Sequence, residues 1–298
     1  MKKNSIAVIG AGKWGQALHY ALCQNQKALI TSRTPREIDN FVDLETALEC
    51  EFLVIAIPAQ QIRAWLKENF VFQGQKVLVA SKGIEATTGE FLNEIYANFI
   101  PDENIGFISG PSFAAEVIKG LPAAIVINSS NETLYEEFSP FFPKFLKTYY
   151  SQDVIGAEVA GAYKNVLAIA SGICEGLQLG NNARASLISR GLVEMTRFGE
   201  HFGAKKDTFL GLGGAGDLFL TASSTLSRNY RVGLGLAKNK TLDEILEELG
   251  EVAEGVKTAE AIYKLSLEND IYTPIANEVK LILAGKNPLD SLKDLLNS

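Results

Sequence analysis

Three cysteines and two histidines are all that 298 residues contain of the side chains most used for disulfides and metal sites. Cys23, Cys50 and Cys174 are far apart, odd in number and free of Cys-x-x-Cys or Cys/His spacing. That argues against a disulfide framework and a zinc site, and predicts a reducing, cytoplasmic setting. His19 falls within the first helical pattern and His201 in no acid–base or metal context. A histidine mechanism is disfavoured and no metal is expected. No window offers the run of about 20 apolar residues that a membrane-spanning helix needs. Lys2 and Lys3 precede an apolar stretch, but Lys13 interrupts it and no small-residue cleavage pattern comes after it, so no export signal is read and a soluble protein is expected. Basic charge is also short: 28 Lys and Arg face 35 Asp and Glu, a formal charge of −7. Nucleic acid is a disfavoured partner, whereas a local basic cleft for a small phosphorylated molecule is compatible with that balance.

What is abundant is apolar side chain, 47% of the sequence against 21% charged, the balance of a folded globular protein. The length exceeds what one growing core accommodates, so two domains are expected. Up to about Tyr150, short apolar runs (Ile6–Ile9, Ala28–Thr31, Phe52–Ile57, Lys76–Ala80, Ile105–Ser109, Ala123–Ile127) alternate with helical patterns. Runs apolar at every position suit parallel strands covered on both faces, which predicts a doubly wound α/β sheet. From Val154 onward the pattern turns helical, as in Glu158–Leu179, Ala183–Phe202 and Thr258–Glu268. The expected division is therefore 1–153 as a dinucleotide-binding domain and 154–298 as an all-α substrate and catalytic domain.

Gly10, Gly12 and Gly15, with Lys13 and Trp14 between them, give Gly-x-Gly-x-x-Gly spacing after the first strand and at the start of the first helix. In that context the first glycine permits the tight turn, the second lets backbone approach a pyrophosphate, and the third allows close helix packing. Trp14 either flanks the cofactor or covers the helix. About 20 residues beyond such a fingerprint, NAD-preferring proteins place an acid on the ribose. Here Ser32 and Arg33 occupy that place; a guanidinium attracts a 2′-phosphate, so NADPH is the expected cofactor, with NADH admitted.

Further candidates lie at the ends of predicted elements. Lys82 follows the Lys76–Ala80 run and puts an ammonium at the carboxyl edge of the sheet, where ligands bind; taken alone, a solvated loop lysine would be the favoured reading. Gly110, Pro111 and Ser112 follow another strand, offering backbone N–H groups to an anion or carbonyl, or a proline-started helix with Ser112 in its first turn. Lys164 stands in Ala160–Ala170, small and apolar on nearly every side. Desolvation there is expected to lower its pKa towards the range useful for protonating a nascent alkoxide; the alternative is a lysine whose head snorkels out. Asp217, after the glycine-rich 211–216, sits where a helix N-cap carboxylate would, and Thr221 lies one turn on. Ser227, Arg228 and Asn229 supply a hydroxyl, a guanidinium and an amide in sequence, a suitable set for phosphate oxygens.

With these residues in view, the segments Ser81–Glu85, Ser109–Val117, Gly161–Gly172 and Gly211–Asn229 resemble the bacterial NAD(P)-dependent glycerol-3-phosphate dehydrogenases, in order and spacing over nearly the whole chain. The resemblance implies a Rossmann domain followed by a helical substrate domain. It implies NAD(P)H-dependent interconversion of dihydroxyacetone phosphate and glycerol 3-phosphate, supplying glycerophospholipid synthesis. It gives Lys164 the acid–base role and has Asp217 hydrogen-bond substrate or Lys164. It assigns Gly110 and Ser112 to substrate, Ala114 to cofactor, Lys82 to both, and Ser227, Arg228 and Asn229 to the phosphate, with Arg228 also near the cofactor. Val252 and Glu254 are carried over as cofactor contacts. A homodimer is compatible with this family. Rival readings are a ketopantoate or β-hydroxyacid dehydrogenase, which would bind a carboxylate substrate, and a non-catalytic NADPH sensor.

Overall fold

A computed structural model describes residues 2–250 and 253–297. The chain divides into two compact units, Met1–Lys82 with Leu92–Ala157, and Gly83–Phe91 with Glu158–Ser298.

The first unit is built on a seven-stranded sheet: β1 (Lys2–Ile9), β2 (Ala28–Thr31), β3 (Cys50–Ile55), β4 (Lys76–Val79), β5 (Ile105–Ser109), β6 (Ala123–Asn128) and β7 (Leu146–Ser151), in the order β2-β1-β3-β4-β5-β6-β7. Successive strand residues point to opposite faces, and both faces are covered. Ile6, Val8, Phe52, Val54 and Leu78 enter one apolar core with Ala17, Leu18, Ala21 and Leu22 of the Lys13–Leu22 helix. Ala7, Ile9, Leu53, Ile55, Val77 and Val79 enter the other with Ile62, Leu66, Leu92, Ile95 and Tyr96. This is why the strand signals read as unbroken apolar runs. Outside β2, Phe41 makes a single parallel bridge to Ile30, where the third strand of a 3-2-1-4 order would lie. The order reverses between β1 and β3, so the crevice at their carboxyl ends is the topological switch point.

Two features depart from the expectation. First, β6 runs antiparallel to β5, while the other strand pairs are parallel. The connection between β5 and β6 contains only the one-turn helix Ala114–Val117. At about 1.5 Å per residue such a helix advances about 6 Å, well short of a five-residue strand, so the chain re-enters from the edge it left. Second, β7 has no counterpart among the sequence runs. Its residues alternate, with Leu146 and Thr148 buried and Lys147 and Tyr149 exposed, as suits the last strand of the sheet.

The second unit is helical. In the Val154–Gly176 helix, Val159, Ala160, Ala162, Tyr163, Val166 and Ala168 have no more than trace exposure, so the helix is buried on nearly all sides. Small residues let the Arg228–Leu236 helix cross it closely. A Cβ on Gly172 would sit 2.1 Å from the Tyr230 carbonyl oxygen, and one on Gly233 would sit 2.1 Å from that of Ile169. Among the described residues no helix is long and apolar enough to cross a membrane, and no three His, Cys, Asp or Glu side chains gather as a metal site.

Candidate active site

The three fingerprint glycines play separable parts. Gly10 has φ +111°, and a Cβ there would lie 2.4 Å from the Ala56 carbonyl oxygen; a Cβ on Gly15 would lie 1.8 Å from the Gly10 oxygen. Backbone packing demands both. Nothing lies within 4 Å of a Cβ built on Gly12, so no protein neighbour requires glycine there, and the open space fits close approach of a ligand. The Lys13–Leu22 helix starts at Gly12 with no side-chain cap and no acid in its first turn, leaving N–H groups for an anion. Gly10 N–H donates to the Thr31 carbonyl at 2.8 Å, and Ala56 N–H to that of Ile9 at 2.8 Å, fixing the turn at the switch point. These residues fit a dinucleotide pyrophosphate.

Lys13 is exposed; Trp14 is half-buried against the sheet core, and its Nε1–H is buried without an acceptor. Arg33 is exposed two residues past Thr31, which pairs with Ile9, so it lies at the same edge as the glycine turn. Lys82 and Gly110 come just after the parallel strands β4 and β5 and therefore share that edge. Gly110 has φ +105°, with Cβ space closed by the Ala124 oxygen at 2.9 Å. The helix after it does not start at Pro111. Phe113 is its N-cap and Ala114 its first residue, while the Ser112 hydroxyl donates to the Gly110 carbonyl at 3.1 Å. The N–H groups of Gly110 and Ser112 thus lie in the turn rather than in a helix, because the left-handed Gly110 directs the chain sharply away from β5.

In the second unit Lys164 is buried, and its Nζ donates to Asp217 Oδ1 at 2.6 Å and to Thr221 Oγ1 at 3.1 Å. Asp217 is 2% exposed, so each charge compensates the burial of the other. The lysine head stays inside; snorkelling is not realised. Nor is Asp217 an N-cap: Gly216 holds that position, Asp217 opens the Asp217–Ala222 helix, and its carboxylate is turned to Lys164. The reason lies in 212–216, which forms a π-helical turn instead of an extended lead-in. A Cβ on Gly214 would lie within 2.5 Å of three Phe209 backbone atoms, so this turn closes only around glycine. A π turn widens the helix by one residue and shifts the phase of the next turn. Ser171, two turns along from Lys164, donates its hydroxyl to the Ala222 carbonyl at 2.6 Å and holds the far end of the short helix.

Ser227 caps the Arg228–Leu236 helix, its Oγ accepting from Tyr230 N–H at 3.3 Å. That leaves the hydroxyl proton unspent by the cap. Arg228 is exposed, whereas Asn229 is buried in an amide ladder. Gly255 N–H donates to Asn229 Oδ1 at 3.0 Å, Asn229 Nδ2 to Asn165 Oδ1 at 2.9 Å, and Asn165 Nδ2 to the Gly161 carbonyl at 3.1 Å. One Nδ2 proton of Asn229 is not used by that ladder. The ladder joins the neighbours of Lys164, Arg228 and Glu254, the last being half-buried at the start of the Glu254–Glu268 helix. Val252 lies outside the described residues.

Asn165 and Glu194 are among the buried polar residues that were not singled out from sequence. Asn165 is the centre of the amide ladder. Glu194 accepts Tyr163 O–H at 2.7 Å and the N–H groups of Ile275 and Ala276 at 2.9 Å, capping the Pro274–Leu283 helix from another helix. Burial pushes the Glu194 carboxyl up despite these donors, and burial beside that carboxylate pushes the Tyr163 phenol well above its usual value. The only sequence signal for either was a polar residue inside an apolar helical stretch, which is ambiguous without its partners.

Comparison with known proteins accords with these elements. The NAD-dependent glycerol-3-phosphate dehydrogenase C-terminus matches residues 153–294, and the N-terminus of the same family matches 21–135. A glycerol-3-phosphate dehydrogenase [NAD(P)+] of Sulfurimonas denitrificans is 62% identical over 295 residues, covering 99% of this chain and 100% of the relative. One from Campylobacter jejuni subsp. doylei is 62% identical and covers 98% of each chain. The crystal structure of glycerol-3-phosphate dehydrogenase from Coxiella burnetii superposes with a TM-score of 0.89 at 31% identity over 99% of both chains. The chain belongs to the NAD-dependent glycerol-3-phosphate dehydrogenase family.

Proposed function

We propose that this protein reduces dihydroxyacetone phosphate to sn-glycerol 3-phosphate with NAD(P)H, reversibly, and so supplies a precursor of glycerophospholipids. The single observation carrying this reading is the buried Lys164–Asp217–Thr221 cluster in a chain so similar to glycerol-3-phosphate dehydrogenases. A nicotinamide dinucleotide held by the first unit would supply the hydride that the reduction of the ketone at C2 requires. Lys164 Nζ gives a proton to the ketone oxygen as charge develops there, and in the reverse direction the neutral amine takes it back. Asp217 and Thr221 hold that ammonium in place, with Asp217 also a substrate contact. Ser227, Arg228 and Asn229 grip the phosphate, using the donor protons that capping and the amide ladder do not consume.

The first unit binds the dinucleotide through Gly10, Gly12, Lys13, Trp14, Gly15 and Ala114, and Lys82, Gly110 and Ser112 meet the substrate. Lys82, Arg228, Val252 and Glu254 complete the cofactor contacts. Arg33 favours NADPH over NADH: it follows β2, two residues past Thr31, at the sheet edge that carries the glycine turn, and a guanidinium there would attract a 2′-phosphate. A cytoplasmic setting accords with the free cysteines, and a homodimer is compatible with this reading.

The deciding experiment assays purified protein with NADPH or NADH against dihydroxyacetone phosphate and ketopantoate. Turnover of the first alone is expected, with a loss of about a hundredfold or more in Lys164→Ala. Turnover of ketopantoate alone, or an undiminished rate in the variant, would overturn the reading.

A further inference from the structure

The Asp217–Ala222 helix carries two of the groups around the Lys164 ammonium, yet it is only six residues long. A helix that short has little stability of its own, so its neighbours must set its place. Lys164 holds its start, through Asp217 Oδ1, and the turn after it, through Thr221 Oγ1. Its last residue is held by another side chain. Leu226 N–H, which would reach the Ala222 carbonyl if the helix ran on, donates instead to Ser224 Oγ at 3.1 Å, and Ser227 N–H donates to the Ser224 carbonyl at 3.0 Å. The Ala222 carbonyl is thus left open by its own segment. The Ser171 hydroxyl donates to it at 2.6 Å, with both residues fully buried. Ser171 lies seven residues after Lys164 in the Val154–Gly176 helix. At about 3.6 residues per turn the two share a face and stand about 10.5 Å apart along the axis, so the long helix holds both ends of the short one.

We propose that Ser171 is a positioning residue for the reaction: its hydrogen bond to Ala222 sets how the Asp217–Ala222 helix lies on its neighbour, and so how Asp217 and Thr221 stand about the Lys164 ammonium. The phosphate end is seated separately. The Arg228–Leu236 helix, which begins just after Ser227, crosses the same long helix at Gly172 and Gly233, where built Cβ atoms would lie 2.1 Å from the carbonyl oxygens of Tyr230 and Ile169. That contact is backbone against backbone and uses no atom of the Ser171 side chain. Removing the Ser171 hydroxyl takes this donor from a buried carbonyl and loosens the end of the proton-transfer helix, while the phosphate grip keeps its seat. A small shift of Asp217 and Thr221 alters the aim of the ammonium at the ketone oxygen more than it alters the hold on the phosphate. The proposal rests on the proposed function, in which Lys164 exchanges the proton and Ser227, Arg228 and Asn229 hold the phosphate.

The test measures kcat and KM for dihydroxyacetone phosphate, at saturating NADPH, in the full chain carrying Ser171→Ala or Ser171→Cys. Ser171→Ala is expected to lower kcat about tenfold and to leave KM within about twofold of the parent. Ser171→Cys keeps a weaker donor at the same place and is expected to lose only about threefold in kcat, again at unaltered KM. If Ser171→Ala does not fold, Ser171→Cys carries the test. A parent-like kcat in Ser171→Ala, or in Ser171→Cys where it stands in, overturns the proposal even if the thermal midpoint falls, because a merely structural tether would behave so. A rise in KM that accounts for the whole loss in kcat/KM overturns it by placing the tether at the phosphate end. Equal losses in the two variants overturn the hydrogen bond as the cause. A parent that does not reduce dihydroxyacetone phosphate overturns the proposed function, and the assignment of Ser171 with it.

Discussion

Lys164 Nζ and Asp217 Oδ1 lie 2.6 Å apart although 53 residues separate them in the chain, and both side chains are buried. Each charge is tolerated in the helical interior because the other is there. Removing one partner leaves an uncompensated buried charge, which costs about 3–5 kcal/mol. Lys164→Met and Asp217→Leu should each lower urea-unfolding stability by that order. The double variant should recover most of it while staying inactive. Equal stability of the single and double variants would show that the pair is not mutually compensating.

The fingerprint glycines should separate by substitution. Gly15→Ala places a Cβ 1.8 Å from backbone oxygen and should lower the thermal midpoint, with a cost of about 1–3 kcal/mol or more. Gly12→Ala meets no protein atom within 4 Å and has an ordinary φ of −71°, so its thermal midpoint should match the parent in the absence of nucleotide. Its NADPH Kd, read by nucleotide fluorescence, should rise about tenfold, roughly 1.4 kcal/mol. Unchanged nucleotide affinity in Gly12→Ala would remove the pyrophosphate from this turn.

Cofactor choice should respond to Arg33. A charge-assisted hydrogen bond is worth about 1.5–3 kcal/mol, so Arg33→Ser should lower kcat/KM for NADPH by about ten- to a hundredfold and leave that for NADH nearly unaltered. Parallel losses with both cofactors would place the arginine's role elsewhere.

Acid sensitivity has an identifiable contributor in His19. Its Nε2 lies 3.0 Å from the Ala28 carbonyl oxygen, which only accepts, so Nε2 carries the proton and acid must add a second at Nδ1. Burial lowers this imidazole below its ordinary value of 6.5, and that effect outweighs the opposing pull of the Ala28 carbonyl and Asp39. A base whose folded-state pKa is depressed adds stability above its unfolded value and loses it as pH falls through the folded one. From pH 7.5 to pH 5 the parent should therefore lose more unfolding free energy than His19→Gln. Parallel pH profiles would assign the acid sensitivity to other groups.

Strand positions were legible because both faces of the sheet are covered, so β1 to β6 read as apolar runs. β7 was not, because Leu146–Ser151 alternates buried and exposed positions and carries Lys147 and Tyr149 outward. The Gly10–Gly15 turn was legible because its backbone requirements are local. Asp217 was legible as a polar residue at a helix start, but its partner was not: the π turn at 212–216 turns the carboxylate away from a capping geometry and towards Lys164. Asn165 and Glu194 were silent for a related reason: the amide that Asn165 pairs with, Asn229, lies 64 residues away, and the partners of Glu194 lie 31 or more residues away.

Local chemistry in the chain, namely glycine torsions, apolar periodicity and a guanidinium where an acid would otherwise stand, was enough to set the positions of β1 to β6, the Gly10–Gly15 turn and the expected cofactor. The direction of β6, the pairing of Lys164 with Asp217, the amide ladder and the transfer of Gly83–Phe91 to the second unit were settled only on folding. Each depends on atoms remote in sequence meeting within hydrogen-bonding or van der Waals distance, and no one-dimensional spacing encodes such meetings.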